Sequence, residues 1–368
     1  MARLETILVA HRDPLVVSAS QMAILAGLSR WMTPLELYLE KAGLQPRDDV
    51  AGEAAYWGSK LEPLLLAEYA ERTGTRVLGQ DAAEQPILFA PGGKTFSKRT
   101  KTYREWVPSD IEGLITKTLR HPTLPIMTHP DGICLAAPGL VCGLVQAKTA
   151  GHWKRDDWGE SGTDQMPPAY LLQVQTELLV VQALTEGRVS YDDVPVLLGG
   201  QEFRQYRALP DNRIAALVGT LAENFVQRVQ EKNPPPATPD KTGSRALQIL
   251  HPGESDAEEL VAEAGTRLWT ATHQVFETRA ALKEAEAAAD AAAVGLQEMM
   301  GDVTKVLSPF GKVTWSAAGT RTTVGWKGVA GVLETHNPVL YAEALQGNTT
   351  TKQGSRTFRV MPKENDDE

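Results

Sequence analysis

Residues 129–150, HPDGICLAAPGLVCGLVQAKTA, decide the fold of this chain. Two short apolar runs flank a Pro-Gly pair at 138–139, which predicts a β-hairpin closed by a tight turn. A two-residue loop places Asp131 directly opposite Gln146, and because side chains alternate across a strand, Lys148 lies on the same face as Gln146. An acid, an amide and an amine therefore meet at one end of an apolar hairpin, where an unpaired charge would be costly.

The spacing of these three polar residues is typical of a metal-dependent nuclease motif. In the PD-(D/E)XK nucleases, an Asp before one strand and an acid-x-Lys on the next hold Mg²⁺ or Mn²⁺ and orient the attacking water. Asp131 and Lys148 fit this pattern, whereas Gln146 stands where the second acid is expected. An ordinary hairpin with a polar end is the alternative, and the motif by itself does not separate the two.

The composition indicates a globular protein with one large domain and an appendage. The chain has 368 residues, of which 42% are hydrophobic and 23% charged, with a formal net charge of −9. This acidity argues against a protein that coats nucleic acid nonspecifically, but an enzyme that encloses DNA needs positive charge only along its channel. We expect no signal peptide and no membrane span. Cys134 and Cys142 are expected to be free thiols in a reducing cytoplasm, with a disulfide across the hairpin as the alternative.

Helical patterns precede the hairpin and carry further candidate residues. Apolar residues at helical spacing predict an amphipathic helix over residues 58–74, with Glu62 in its first turns. Ser20 is positioned to cap a helix over 21–27, and residues 31–43 predict another helix. If neither residue has a functional role, Ser20 is simply a helix cap. Glu62 is then a solvated carboxylate, which is favourable near the positive end of a helix dipole.

A loop and a second amphipathic element follow the hairpin. Two Trp, several charges and a Pro-Pro pair predict a mobile surface loop over 151–168. A helix over 169–185 then carries Tyr170 and Gln173 one turn apart on one face, either as site residues or as ordinary surface residues. The remaining core elements are strands and a closing helix, predicted at 86–90, 189–198, 203–208 and 214–231.

Taken in this order over roughly residues 10 to 225, these motifs resemble the YqaJ family of phage-type recombination exonucleases, relatives of lambda exonuclease. The resemblance implies an α/β restriction-endonuclease-like core, a mixed sheet flanked by helices. It also implies a Mg²⁺- or Mn²⁺-dependent deoxyribonuclease that resects linear duplex DNA ends 5′ to 3′. The product would pass to a single-strand annealing protein, and the enzyme would be a ring-shaped homo-oligomer in the cytoplasm of a bacterial host.

The resemblance also implies roles for individual residues of the hairpin and its flanking helices. Asp131, Gln146, the carbonyl of Ala147 and Glu62 would hold the metal ion, and Lys148 would position the attacking water. Two helix residues would support Lys148 and the DNA, namely Gln173 and Tyr170.

Candidate DNA contacts lie in two other parts of the sequence. By the resemblance, Arg12 would bind the 5′ phosphate at the cut end, and the helix start at Ser20 would also contact phosphate. Residues 94–106 mix basic and aromatic side chains, which suits a phosphate backbone with stacked bases, although a solvated basic loop has the same composition. The basic candidates in this segment are Lys98, Arg99, Lys101 and Arg104.

The C-terminal third differs in composition from the rest of the chain. We place an exonuclease-like domain at 1–231, a Pro-rich linker at 232–244, and a helical and β-hairpin region at 245–368. Residues 254–306 predict a long helix or helical hairpin that resembles a coiled coil. Residues 312–315 and 321–326 predict the two strands of a small β-hairpin, and a basic, Gly/Thr-rich segment follows at 350–359.

Gln146 leaves the activity open. An amide oxygen can bind Mg²⁺, but it lacks the negative charge that a two-metal site uses. The family tolerates glutamine here, or the glutamine is an inactivating change, or the chain is a non-cleaving DNA-end-binding or scaffold relative on the same fold. An endonuclease is a further alternative, with the same chemistry on a different substrate.

Overall fold

The computed structural model describes residues 13–46, 52–253, 259–316 and 325–349. The chain divides into two compact units, Met1–His251 and Pro252–Glu368. The first unit contains the predicted hairpin and therefore the candidate site.

A mixed sheet forms the centre of the first unit. Its strands run in the order β11-β10-β8-β7-β2-β3-β4, and β9 pairs with β10 at one end. Strand β10 is parallel to β8 and β9, and the other neighbours are antiparallel. The strands are β2 (Arg76–Gln80), β3 (Pro86–Ala90), β4 (Lys94–Ser97), β7 (Gly132–Ala137), β8 (Leu140–Val145), β9 (Lys148–Ala150), β10 (Asp192–Leu198) and β11 (Glu202–Ala208).

Helices cover this sheet, and a small second sheet joins β1 (Val17–Ser18), β5 (Leu119–Arg120) and β6 (Ile126–Thr128). The helices of the first unit are α1 (Ala19–Leu25), α2 (Pro34–Lys41), α3 (Glu53–Thr73), α4 (Lys101–Trp106), α5 (Ser109–Thr116), α6 (Pro168–Leu184), α7 (Asn212–Gln230) and α8 (Lys241–Leu250). The predicted α/β class, a mixed sheet flanked by helices, is confirmed.

The central hairpin has the predicted register. Gly132 pairs with Val145 and Ile133 with Leu144, so the next pair outward is Asp131 with Gln146. The register shifts on either side of Leu135. These irregularities lie toward the Pro-Gly turn and leave the polar end in register.

The two faces of the sheet carry different helices. On one face, α3 packs Leu66 and Tyr69 against strand residues that include Cys134 and Val145. The helix ends as predicted at Gly74, whose φ of 70° suits a residue without a β-carbon. On the other face lies α6, whose buried residues point in several directions because it also packs against α1 and α7. Val145 faces α3, and side chains alternate along a strand, so the next residue, Gln146, faces α6. The candidate site therefore lies between α6 and the sheet.

Several local predictions need correction. Ser18, not Ser20, is the N-cap of α1, and the Gln21 side chain accepts a hydrogen bond from the Ser18 amide at 3.1 Å. Helix α2 begins after Thr33 because a Thr-Pro pair followed by Glu36 forms a capping box with proline at the first helical position.

The Pro-rich stretch belongs to the first compact unit. Pro235 is buried, and α8 beyond it places Ala246 in the main hydrophobic core. The unit therefore continues past residue 231 to His251. The predicted end of the functional domain at 231 stays a prediction.

The second unit contains one long helix, α9 (Arg267–Met300), rather than a helical hairpin. Its β-hairpin joins β12 (Lys305–Ser308) to β13 (Gly311–Thr314), so the predicted strand near 312–315 pairs with an earlier segment. The predicted partner strand, 321–326, lies mostly outside the described residues, and its last residue, Trp326, instead begins α10 (Trp326–His336). Helix α11 (Pro338–Asn348) follows, and the basic segment 350–359 lies outside the described residues.

No helix in the described part of the chain has both the length and the hydrophobicity that crossing a membrane requires. Cys134 and Cys142 are free thiols, as predicted. The Sγ of Cys142 instead contacts the carbonyl oxygen of Cys134 at 3.4 Å.

A buried ion pair stabilises the α3 side of the sheet. Arg207 donates from Nε and Nη2 to the two carboxylate oxygens of Asp193, both at 2.7 Å, and Asp193 is fully buried. Burial raises the pKa of Tyr69, so its hydroxyl stays protonated and donates to Asp193 Oδ2 at 2.5 Å. The pair and the tyrosine thus tie β10, β11 and α3 together.

We expect Arg207→Met to lower the free energy of unfolding by about 3 kcal/mol, because it leaves the Asp193 charge buried without its cation. The Arg207 side chain is about half exposed, so the loss in unfolding free energy should be at the lower end of the range for buried ion pairs. The matched control is Arg213→Met, whose pair with Asp211 is solvent-exposed, so its loss should lower the free energy of unfolding much less. Urea unfolding measures both, and equal losses for the two variants would contradict the assignment.

Candidate active site

The polar end of the hairpin is held by hydrogen bonds to one carboxylate. Asp131 Oδ2 accepts from the Gln146 side-chain amide at 2.7 Å and from the Ala147 N–H at 3.0 Å. A carboxylate only accepts, so Gln146 must turn its NH₂ group toward Asp131. The Gln146 Oε1 is then buried without a hydrogen-bond partner among the described residues. A buried amide oxygen of this kind is available to a cation.

Lys148 lies on the same face of the sheet as this pair. It pairs with Val196 of β10, whose side chain belongs to the core under α6. Its Nζ stands 5.4 Å from the centre of the Tyr170 ring, within the range of a cation–π contact. Tyr170 in turn stacks on the buried Trp158, with ring centres 5.5 Å apart. The structure therefore places the Tyr170 ring beside the Lys148 ammonium group.

The segment after Lys148 is more ordered than a mobile surface loop. A 3₁₀ helix covers His152–Asp157, and Trp158 then enters the core between Tyr170 and Tyr206. The prediction of a mobile loop is wrong at Trp158, because removing so large an aromatic ring from water stabilises the folded chain. Its neighbour Trp153 stays 84% exposed.

Gln173 contacts a residue that the sequence analysis did not select. Its Nε2 donates to Glu177 Oε1 at 2.9 Å, so the contact observed is with this acid rather than the predicted brace on Lys148. Glu177 is 1% exposed, and its Oε2 has no hydrogen-bond partner among the described residues.

A second buried acid lies close to Glu177. Asp192 at the start of β10 is fully buried, and neither of its carboxylate oxygens has a hydrogen-bond partner in the described part of the chain. Burial, together with the charges of Glu177, Asp193 and Asp131, raises the pKa of Asp192 well above its usual range, and Lys148 opposes the rise. Burial also raises the pKa of Glu177, against the effects of Lys148 and the Gln173 hydrogen bond. The surroundings therefore favour the protonated form of both acids, and a bound cation would favour the charged form instead.

The sequence does contain a signal for these two residues. Glu177 interrupts the apolar run of α6, LLQVQTELLVV, and Asp192 starts a strand that is otherwise buried. Ionisable residues in buried elements are uncommon without a function or a partner.

Glu62 lies on α3, on the opposite face of the sheet but near the same end. It is half-buried and one turn before Leu66. A β-carbon on Gly132 would stand 3.3 Å from the Leu66 side chain, so this part of α3 lies over the start of β7, beside Asp131. A role for Glu62 at the metal stays a prediction.

The donor atoms at the polar end fit a hard divalent cation. Asp131 supplies a carboxylate, Gln146 an orphaned amide oxygen and Ala147 a carbonyl, all oxygen ligands of the kind that Mg²⁺ and Mn²⁺ prefer. Within the described ranges, no three His, Cys, Asp or Glu side chains converge to hold a metal by themselves. The fit therefore depends on the amide and carbonyl oxygens.

The predicted DNA contacts are only partly placed. Arg12 lies outside the described residues, and Ser20 is exposed in the first turn of α1, with its Oγ 3.0 Å from Ser18 Oγ.

The basic segment is regular rather than a loop, because β4 and α4 occupy most of it. Lys98 forms an ion pair with Glu112, Lys101 pairs with Glu105, and Arg104 donates to the Lys98 carbonyl. Arg99 is exposed.

The aromatic residues of this segment are less accessible than a base-stacking surface requires. Tyr103 is fully buried and donates to Glu112, and the Trp106 ring is covered by the Arg76 guanidinium at 3.8 Å. The base stacking that the composition of 94–106 suggested therefore does not fit Tyr103. The basic side chains stay candidates for phosphate contacts.

Comparison with known proteins identifies the class. Residues 9–186, which include the hairpin, α3 and α6, match the family model of the YqaJ-like viral recombinase domain. This part of the chain is therefore similar to the YqaJ-like viral recombinase domain, and the resemblance drawn from the sequence motifs is confirmed.

One relative is the uncharacterized protein YqaJ of Bacillus subtilis (strain 168), which is 27% identical over 188 residues. The alignment covers 51% of this chain and 44% of that relative, so the chain spans less than half of its length. Among solved structures, the alkaline exonuclease LHK-Exo from Laribacter hongkongensis aligns with a TM-score of 0.39 and 18% identity, over 61% of this chain and 92% of the enzyme. The structure of LHK-Exo in complex with dAMP aligns equally.

Proposed function

We propose that this protein is a divalent-metal-dependent deoxyribonuclease that resects the ends of linear duplex DNA. One observation carries the proposal: Asp131, the orphaned Gln146 oxygen and Lys148 lie together at the end of the hairpin. The YqaJ-like family of residues 9–186 supports an action on DNA in recombination.

Each residue has a role that follows from its chemistry. Asp131, Gln146 and Ala147 would hold Mg²⁺ or Mn²⁺, with Glu62 reaching the same site from α3. The ion supplies Lewis-acid stabilisation of the phosphate and lowers the pKa of water. Lys148, held over Tyr170, donates hydrogen bonds that orient the attacking water and the scissile phosphate. The buried wall formed by α6 and Trp158 excludes bulk water from one side of Lys148.

The finer features of the proposal come from the resemblance to lambda exonuclease-like enzymes. They are 5′ to 3′ polarity, transfer of the single strand to an annealing protein, and a homo-oligomeric ring in the bacterial cytoplasm. A ring would let an acidic protein enclose DNA in a locally basic channel. Light scattering at micromolar concentration should then give a mass well above the 40.0 kDa of one chain, and a clean monomer would contradict the ring.

Digestion of linear and covalently closed circular duplex DNA of the same sequence tests the function. With Mg²⁺ or Mn²⁺ we expect the linear DNA to be degraded from its ends while the circle persists, and EDTA should stop the reaction. Cutting of both substrates would indicate an endonuclease. The position of Gln146 favours one other candidate, a DNA-end-binding protein without cleavage, which would retain linear DNA in a binding assay and degrade neither substrate.

A further inference from the structure

The candidate site lacks a negative charge at the position where a second acid is expected. Gln146 is neutral and donates to Asp131, so the hairpin alone supplies one carboxylate to a divalent cation. A cation with a double charge binds weakly to a single carboxylate and neutral oxygens. Another acid close to the hairpin would remove this deficit.

The topology of the sheet places two acids on the face of the candidate site. Strand β10 runs parallel to β8 and β9, with Asp192 beside Leu144 and Val196 beside Lys148. Side chains two residues apart share a face, so Asp192, Gln146 and Lys148 all point toward α6. Helix α6 packs on that face and brings the buried carboxylate of Glu177.

Glu177 is better placed than Asp192 to act at the site. Asp192 pairs with Leu144, which lies two residues before Gln146 and therefore farther from the polar end of the hairpin. Glu177 has a longer side chain, and the amide of Gln173 already orients its Oε1. Its Oε2 is buried without a hydrogen-bond partner among the described residues, as is Gln146 Oε1. Two acceptor oxygens that lack donors in one buried region are what a bound cation would satisfy.

We propose that Glu177, supplied by helix α6, is the second acid of the site and binds the divalent cation together with Asp131 and Gln146 Oε1. This proposal rests on the proposed metal-dependent function. It explains why a neutral residue is compatible with the hairpin position, because the charge comes from the helix instead. Gln173 is then a positioning residue that fixes the orientation of the Glu177 carboxylate.

Mn²⁺ titration by calorimetry, without DNA, tests the proposal on the full-length protein. Glu177→Gln keeps the side-chain shape and should weaken Mn²⁺ binding at least about tenfold. The matched control is Asp192→Asn, which removes an equally buried acid from the same face and should change Mn²⁺ affinity less than about threefold. The double variant Gln146→Glu/Glu177→Gln returns the charge to the hairpin and should recover the affinity of the wild type.

Unchanged Mn²⁺ affinity in Glu177→Gln would overturn the proposal, and so would an equal loss in Asp192→Asn. If Glu177→Gln does not fold, Glu177→Asp takes its place, because it keeps a buried carboxyl but shortens the reach of the carboxylate. Mn²⁺ affinity that falls at least about threefold in Glu177→Asp supports Glu177 as a ligand, and unchanged affinity overturns it.

The two proposals can fail separately. If Mn²⁺ binds the wild type and depends on Glu177 but DNA is not cleaved, the metal site stands and the nuclease function falls. If the wild type cleaves DNA and Glu177→Gln binds Mn²⁺ and cleaves equally well, the function stands and Glu177 is not a ligand. A wild type that neither binds Mn²⁺ nor cleaves DNA overturns both.

Discussion

Replacing Lys148 with alanine is expected to lower the rate of DNA cleavage by about 10²- to 10⁴-fold while DNA affinity changes little. An amine that orients water acts mainly in the transition state, so its loss reduces turnover rather than substrate binding. The Tyr170 ring limits the positions of Nζ, and a positioned donor contributes more than a freely moving one.

Two assays separate turnover from binding in Lys148→Ala. Degradation of labelled linear duplex gives the rate, and fluorescence anisotropy in EDTA gives the affinity for the same DNA. Lys154→Ala is the matched control, because Lys154 lies on the adjacent 3₁₀ helix and pairs with Asp157 at 2.8 Å. Its rate should stay close to that of the wild type. Turnover by Lys148→Ala at the wild-type rate would remove the lysine from the mechanism.

Asp131→Asn is expected to abolish metal-dependent cleavage and to weaken Mn²⁺ binding by roughly 100-fold, since it removes the carboxylate that the hairpin supplies to the proposed ion. The fold should survive. Both hydrogen bonds from Gln146 and Ala147 go to Oδ2 of Asp131, and the single amide oxygen of asparagine can accept both.

Glu62→Gln is the comparison for this prediction, because Glu62 lies on α3 at the other face of the sheet and its proposed contact with the ion is direct or through water. Its Mn²⁺ affinity should fall less, by roughly tenfold. Calorimetric titration of both variants with Mn²⁺ measures the difference, and thermal unfolding without metal reports on the fold. Unchanged Mn²⁺ affinity in Asp131→Asn would place any metal site elsewhere.

Much of the site follows from local sequence because its parts are close together in the chain. The Pro-Gly turn and the alternation of apolar residues determine the register of the hairpin, and the register alone brings Asp131 to Gln146. Lys148 follows two residues later. Helices α3 and α6 are also readable from their apolar spacing and end signals.

Short-range signals were ambiguous where two residues of the same type compete. Ser18 and Ser20 are both good N-caps, and the choice depends on which amide the Gln21 side chain can reach. The C-terminal hairpin was paired wrongly because its turn, around Pro309 and Gly311, is a weaker signal than the alternation farther along. The mixture of basic and aromatic residues over 94–106 was compatible with a DNA-contacting surface, whereas the Tyr103 ring packs into the core.

The sequence by itself determined the hairpin, its polar end and the similarity of residues 9–186 to the YqaJ-like domain. Only the tertiary structure decided that Glu177 and Asp192 lie on the same face of the sheet as that polar end, because helix α6 and strand β10 are separate from the hairpin in sequence. Their approach depends on how α6 packs against a sheet with a parallel β8–β10 pair. Contacts of this kind are set by the burial of apolar surface over many residues at once, and no local pattern encodes which buried acid will meet which strand.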